Sequence, residues 1–143
     1  MKAVKSKYFA IYELVPKELY ELVHEDVLWR MVPEGIITFI DKLKEKFHEG
    51  SMTINNYFWG GDRNWSGLRL IGSKYYSKTS RHSSFDAVDI VFSKYDSADV
   101  RKYVLDNQDE FTEIGGIEDF DGMTWLHGDI RPRRDSRIIV FRK

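Results

Sequence analysis

The spacing of apolar residues changes character near Gly50. Before that point, Ile36, Ile40, Leu43 and Phe47 recur at steps of four, three and four residues, which places them on one face of a helix. After it, short alternating segments bounded by Gly, Asn and Asp prevail, as in strands. Helices that come first and strands that come later favour an α+β fold, with N-terminal helices packed on a small, mainly antiparallel sheet.

Helix-breaking and helix-capping residues set the expected boundaries of these elements. Pro16 opens a short helix over residues 17–23, and Pro33 opens the main helix, which Gly50 ends. Ser97 is expected to N-cap a helix that runs to about Asp106. Strands are expected over residues 52–58, 87–92, 124–131 and 137–141, and a long loop over 59–84. A loop of that length within a compact domain is typically functional.

Composition bounds the class of protein. The 143 residues suffice for one domain, 1–143, and 42% apolar residues can fill its core. The absence of cysteine excludes disulfides, thiolate metal sites and cysteine nucleophiles. A net charge of −1 argues against a nucleic-acid partner, and a solvated edge strand explains the basic stretch 131–143 more simply. No apolar run is long enough for a membrane span, so no membrane partner is expected.

Two of the four histidines are predicted to lie at the surface. His48 lies in the last turn of the main helix, where a partial positive charge suits the helix dipole. His24 follows an amphipathic turn beside two acidic residues. Neither has neighbours spaced like metal ligands.

His82 and Asp89 are separated by an odd number of residues, so on one straight strand they would face opposite ways. They converge only if the chain turns between them, and Ser83 and Ser84 supply a plausible turn. Asp89 would then face inward from a strand whose other face carries Val88, Ile90 and Phe92. A carboxylate on a covered face needs an ionic partner or a metal.

A second polar row lies further along the chain. Strand alternation sends Trp125, His127, Asp129 and Arg131 to one face, with Leu126 and Ile130 on the other. Two interpretations remain open from the spacing alone. The row is either the wall of a site or a hydrogen-bonded network that stiffens the sheet.

Taken together, these segments resemble the family of zinc D-Ala-D-Ala carboxypeptidases, which also contains phage endolysin peptidases and the Hedgehog signalling domain. Three motifs carry the resemblance, over about residues 8–141. The first, S-x-H-x-x-G-x-A-x-D, matches at Ser80, His82, Ala87 and Asp89. The second, an aromatic-x-H-x-D strand followed by Arg, matches Trp125, His127, Asp129 and Arg131, and the upstream S-G-Y-R segment is similar to Ser66-Gly67-Leu68-Arg69.

The resemblance implies that His82, Asp89 and His127 bind one zinc ion (Zn²⁺), with water in the fourth position. Ser80 and Trp125 would contact the substrate. Arg69 would steady the substrate or the developing oxyanion, with a loop-anchoring salt bridge as the alternative role.

The chain departs from the family at two places. Phe85 stands where the family has Gly, so either the turn differs locally or Phe85 packs at the start of the strand. The general base is also displaced, because Thr124 occupies the position where many members carry Glu. Asp121 is the first candidate for the base, Glu118 with its longer side chain is the second, and the absence of any carboxylate base is the third possibility.

The expected function is therefore a zinc-dependent peptidase, encoded by a phage, that acts on the stem peptides of peptidoglycan as a carboxypeptidase or endopeptidase. The alternative is a non-catalytic zinc-binding domain with a structural or virion-associated role. No signal peptide is expected, because no apolar core follows the basic residues 1–12. Synthesis would be cytoplasmic, with release by lysis or transport in a virion, and a monomer is assumed.

Overall fold

The structure, a computed structural model, describes residues 3–70, 73 and 80–142. Within these ranges the chain forms four α-helices and a five-stranded sheet, which confirms the predicted combination of helices and sheet. The helices are α1 (Lys17–Tyr20), α2 (Glu25–Met31), α3 (Glu34–Lys46) and α4 (Ser97–Asp106). The strands are β1 (Met52–Thr53), β2 (Ala87–Phe92), β3 (Gly116–Glu118), β4 (Leu126–Asp129) and β5 (Ile139–Phe141).

The sheet is mixed, with strand order β1-β2-β4-β3-β5. Three neighbouring pairs are antiparallel, and β5 runs parallel to β3. The chain leaving β4 therefore crosses to the far side of β3 before it forms the edge strand. This crossover makes β5 the edge strand of the sheet, next to β3.

Helix α3 covers one face of the sheet. Its predicted stripe is confirmed, because Ile36, Ile40 and Leu43 have no exposed surface. Phe39 lies against β4 so closely that a Cβ added to Gly128 would meet its ring at 2.5 Å. Because Gly128 faces α3, strand alternation sends His127 and Asp129 to the opposite face.

The first predicted strand is much shorter than expected. The pattern favours a strand over residues 52–58, but pairing with β2 ends at Thr53. Asn55 diverts the chain: its backbone N–H donates to the Glu13 carbonyl, and its side-chain amide donates to the carbonyl of Val15. A 3₁₀ turn over Tyr57–Trp59 follows.

Helices α2 and α4 are capped by side chains that the sequence patterns did not single out. The His24 Nδ1 accepts from the Asp26 backbone N–H and caps α2, a helix that was not predicted. The cap of α4 is Asp96 rather than Ser97, because the Asp96 carboxylate accepts from the Ala98 N–H. Ser97 instead donates to the Thr124 carbonyl and ties α4 to the segment that leads into β4.

Other boundaries shift by a few residues. Helix α1 ends at Tyr20, and β4 and β5 are shorter than the predicted 124–131 and 137–141. Strand β3 lies in a stretch for which no strand was predicted. Residues 71, 72 and 74–79 of the predicted loop 59–84 lie outside the described residues. No helix in the described ranges is long and apolar enough to cross a membrane.

The contact between Gly128 and Phe39 gives a test of the packing between α3 and the sheet. We expect Gly128→Ala to lower the free energy of unfolding by about 1–3 kcal/mol, because the added methyl overlaps the Phe39 ring. Urea denaturation measures the loss. In a Phe39→Leu background, where the side chain is smaller, the same substitution should cost less. Equal costs in the two backgrounds would contradict the contact.

Candidate metal centre

Three side chains meet on the sheet face opposite α3. His82, Asp89 and His127 each offer a ligand atom, and these atoms all lie within 4.8 Å of one another. Asp89 and His127 are direct partners in the β2–β4 register, so their side chains share one face. The structure therefore brings together the three residues that the motifs single out, and this group could hold a metal ion.

His82 reaches the sheet from a 3₁₀ turn over Arg81–Ser84, where the sequence predicts a turn. The Ser80 hydroxyl starts this turn by accepting from the backbone N–H of His82. The turn ends at Phe85, and β2 begins two residues later. This turn allows two side chains seven residues apart to converge.

Hydrogen bonds fix which nitrogen of each imidazole can bind a metal. His82 Nδ1 lies 2.8 Å from the Gly67 carbonyl oxygen, which only accepts, so Nδ1 is the donor in this contact. His82 Nε2 then faces Asp89 Oδ1 at 3.2 Å. His127 Nε2 lies 2.9 Å from Asp129 Oδ2, and its Nδ1 lies 3.0 Å from Asp89 Oδ1. Oxygen acceptors outside the cluster thus orient both rings, as they do around ligating histidines.

Hydrogen bonds and burial act against each other on the charges of Asp89 and His127. Burial opposes ionisation of Asp89, but hydrogen bonds from His127 and His82 hold its pKa well below the usual range. Burial also disfavours a charged His127, yet hydrogen bonds to Asp129 and Asp89 raise its pKa to about 9. A proton on His127 therefore supplies positive charge at neutral pH, and a bound cation would replace it.

Asp129 anchors the outer side of His127. Its carboxylate is fully buried and accepts from both Arg131 Nε and Arg131 Nη2 at 2.7 Å. Burial opposes its charge, but His127 and Arg131 lower the pKa of Asp129 to about 2. Gly116 on β3 leaves room for this pair, since a Cβ there would lie 2.3 Å from Asp129 Oδ1. The polar row was predicted to be either the wall of a site or a hydrogen-bonded network, and it is both.

The Ser66–Arg69 segment forms the opposite wall. Gly67 supplies the carbonyl that orients His82, and it must be Gly because a Cβ would lie 2.1 Å from the Leu14 carbonyl oxygen. The backbone N–H of Arg69 donates to the His82 carbonyl, and that of Asp89 donates to the Ser66 carbonyl. The sequence motif identifies this segment but not the role of Gly67.

Arg69 forms a salt bridge with the second oxygen of Asp89. Its Nη2 lies 3.1 Å from Asp89 Oδ2, and its Nε donates to the Trp65 carbonyl. Asp89 Oδ1 faces the two histidines, so the carboxylate divides its two oxygens between the arginine and the cluster. The alternative role for Arg69, a salt bridge, is the one observed, and the bridge forms within the site.

An open cavity of about 740 Å³ lies over the cluster. Ser80 and Trp125, the two predicted substrate contacts, line it. Four arginines also line it: Arg63, Arg69, Arg81 and Arg131. The cavity therefore lies over a group that could hold a metal ion, and it is bordered by several permanent positive charges.

The structure separates the two candidates for a general base. Glu118 lines the cavity, and the β3–β4 register, in which Ile117 pairs with Gly128, sets it beside His127. Asp121 and Thr124 are exposed, and neither lines the cavity over the described residues. The second sequence candidate thus lies at the site and the first lies outside it.

Phe141 is a site residue that the sequence patterns do not reveal. It pairs with Glu118 in the β3–β5 register, and its ring lies 5.6 Å from that of His127. The Arg131 guanidinium lies over the same ring, 4.2 Å from its centre. Asp89, His127, Glu118 and Phe141 therefore form one row across four strands.

Phe85 resolves the first departure from the family motif. Its φ of +60° is in the left-handed region that favours Gly, and its side chain is only 2% exposed. The first alternative, a turn that differs so as to avoid a positive φ, is therefore wrong, whereas the second holds because the ring packs in the core. Burial of the ring offsets a backbone strain of about 1 kcal/mol.

The conformation of Phe85 predicts an unusual order of stability among its variants. We expect Phe85→Ala to lower the free energy of unfolding by about 3–5 kcal/mol through loss of the ring. Phe85→Gly should be about 1 kcal/mol more stable than Phe85→Ala, because Gly relieves the positive φ. Chemical denaturation measures both.

The same pair of substitutions at Lys102, an exposed residue within α4, is the control. There Ala should be the more stable variant, because Gly disfavours a helix interior. If Ala were also the better residue at position 85, the left-handed turn would be contradicted.

No family model, curated protein or solved structure matches this chain. The geometry of the site is therefore the basis on which its function is inferred.

Proposed function

We propose that this chain is a zinc-dependent peptidase that acts on the stem peptides of peptidoglycan, as a D-Ala-D-Ala carboxypeptidase or an endopeptidase. One observation carries the proposal. His82, Asp89 and His127 direct ligand atoms towards one another below an open polar cavity. The three sequence motifs, which resemble those of the zinc carboxypeptidases, support the choice of substrate.

Zinc suits this set of donors. Two imidazole nitrogens and one carboxylate oxygen are typical of catalytic zinc sites, which keep one position open for water or substrate. Bound there, zinc would polarise a substrate carbonyl and lower the pKa of a bound water to about 7. Gly67 and Asp129 hold the outer nitrogens of the two histidines, so both rings are oriented before an ion binds.

Glu118 is the side chain best placed to move protons. Peptide hydrolysis needs a group that takes a proton from the attacking water and returns it to the leaving amine. Glu118 shares the sheet face of His127 and is half-buried at the cavity. Asp62 also lines the cavity but is exposed on a loop. Among the carboxylates that line the cavity, we therefore assign the proton transfer to Glu118.

The arginines favour an anionic peptide. Arg131 is held by two hydrogen bonds to Asp129 and by the Phe141 ring, so its charge is fixed at the edge of the cavity. Arg69 is a positioning residue here, because it holds Asp89 Oδ2 and leaves Oδ1 facing the histidines. Stem peptides carry carboxylates that suit guanidinium groups.

A non-catalytic zinc domain is the second candidate. Thr124 in place of the usual Glu favours it, and so does the continuous chain of ion pairs from Arg69 through Asp89 and His127 to Asp129. Such a network also stabilises a structural domain. The two candidates differ in whether a peptide bond is cut.

Metal content tests the site itself. Protein purified without chelator should contain about one zinc per chain, and His82→Ala and Asp89→Ala should each lose most of it, because each removes one of three ligands. Atomic emission spectrometry gives the stoichiometry. His24→Ala and His48→Ala, which change exposed histidines, are the matched controls and should keep their zinc. A folded parent that takes up no zinc when the ion is supplied would overturn the proposal.

Cleavage tests the catalytic role of Glu118. Glu118→Gln should lower the rate of stem-peptide hydrolysis by about 10²–10⁴-fold, because the amide cannot accept the proton. Its zinc content should match the parent. Asp121→Asn, exposed outside the cavity, should retain activity. Mass spectrometry of the products separates released D-Ala from internal cleavage.

Two other results have clear meanings. If Asp121→Asn alone abolished cleavage, the base would be Asp121 rather than Glu118. If the zinc-loaded parent cut no stem peptide, the non-catalytic candidate would replace the peptidase.

A further inference from the structure

Four aromatic rings form a cluster: Tyr12, Tyr20, Phe58 and Trp59, here called the aromatic platform. Tyr12 and Phe58 stack face to face at 3.9 Å, with an interplanar angle of 14°. The ring of Trp59 stands edge-on to both of them. These contacts fix the platform as a unit.

The platform is open to solvent. Phe58 is 50% exposed and Trp59 is 61% exposed, although the Tyr12 ring behind them is half-buried. Large aromatic side chains exposed together mark interaction sites more often than single exposed apolar residues do. The two outer rings are the surface that a ligand would meet.

The surroundings of the platform are polar and acidic. Glu18 and Glu21 are exposed on and beside α1, and the Glu18 carboxylate accepts from the Asn64 amide. Burial, and to a lesser extent the nearby Tyr20, Glu18 and Glu21, raises the pKa of Tyr57 well above its usual range. Lys17 forms a salt bridge with Glu21, so these residues carry no excess of positive charge of the kind that phosphodiesters and anionic lipids need.

A pyranose ring matches this combination of groups. Its C–H face is apolar and packs on aromatic rings, whereas its hydroxyls hydrogen-bond to carboxylates and amides at the edge. Such a ligand is uncharged where it meets the rings, so the acidic rim does not repel it. Exposed rings with carboxylate and amide neighbours are what a sugar-binding surface requires.

A closed loop joins the platform to the cavity. The Asn56 backbone N–H donates to the Arg63 carbonyl, and the Asn56 side-chain oxygen accepts from the Arg63 backbone N–H. The backbone N–H groups of Trp59 and Gly61 donate to the Asn56 carbonyl. Arg63 lines the cavity and lies four residues after Trp59, so their Cα atoms are at most about 14 Å apart.

We infer that the aromatic platform binds the glycan strand from which the stem peptide branches, with sugar rings on Phe58 and Trp59 and the peptide in the cavity. This inference rests on the proposed function for the identity of the glycan. The stem peptide is covalently attached to a sugar, so a ligand that fills the cavity brings saccharide rings to its rim. The loop around Asn56 joins the platform to Arg63, which lines the cavity.

The test uses a ligand without peptide, so that its outcome does not depend on cleavage. Tetra-N-acetylchitotetraose is titrated into the full chain and followed by calorimetry, with and without zinc. We expect binding that is unaffected by zinc. Trp59→Ala and Phe58→Ala should each weaken it at least tenfold. Leu22→Ala is the matched control, since Leu22 is 84% exposed and apolar but is not one of the platform rings.

A second measurement separates this inference from the peptidase proposal. With glycan-linked stem peptides, Trp59→Ala should raise KM and leave kcat unchanged, whereas with free stem peptide both constants should match the parent. If the parent cut peptides but bound no chitotetraose, the inference would be overturned and the peptidase would stand. If it bound chitotetraose through Trp59 but cut no peptide, the platform would stand and the peptidase would fall.

Two further outcomes would overturn the platform as a sugar site. One is equal weakening of binding by Leu22→Ala and Trp59→Ala. The other is a dimer in sedimentation velocity that Trp59→Ala converts to a monomer, because the rings would then bind a second copy of the chain.

Discussion

The register between β2 and β4 is the constraint on which the site depends. Asp89 stands directly opposite His127, and a slip of one residue would turn every side chain of the strand to the other face. Two contacts oppose such a slip. Gly128 admits the Phe39 ring on one face, and the Asp89 N–H donates to the Ser66 carbonyl at the side. The packing of α3 and the position of the ligands are therefore set together.

A backbone carbonyl and a carboxylate outside the cluster orient its two histidine rings. The Gly67 carbonyl and the Asp129 carboxylate hold the outer nitrogens of the two histidines, so the inner nitrogens face Asp89. Hydrogen bonds to Asp129 and Asp89 also raise the pKa of His127 to about 9, so this ring carries positive charge between the two carboxylates at neutral pH. Orientation of the ligands thus comes from the fold.

Local sequence patterns predict the placement of those site residues whose positions depend on nearby parts of the sequence. Alternation places His127 and Asp129 on one face, and the serine turn lets His82 reach Asp89. Glu118 could not be ranked first from the sequence, because β3 is a short strand that exists only through pairing with β4 and β5. Likewise, Asn55 ends β1 through contacts with residues about 40 positions earlier, which no local pattern contains.

Strand β5 gives the site a particular order of completion during synthesis. The three residues of the cluster have all left the ribosome once β4 has emerged, but Phe141, which flanks both His127 and Arg131, follows later. Since β5 joins β3 only after the chain has left β4 and crossed β3, the nascent protein can form the His82, Asp89 and His127 cluster before the aromatic wall closes beside it. The ligands would then meet in a more open setting than the finished cavity provides.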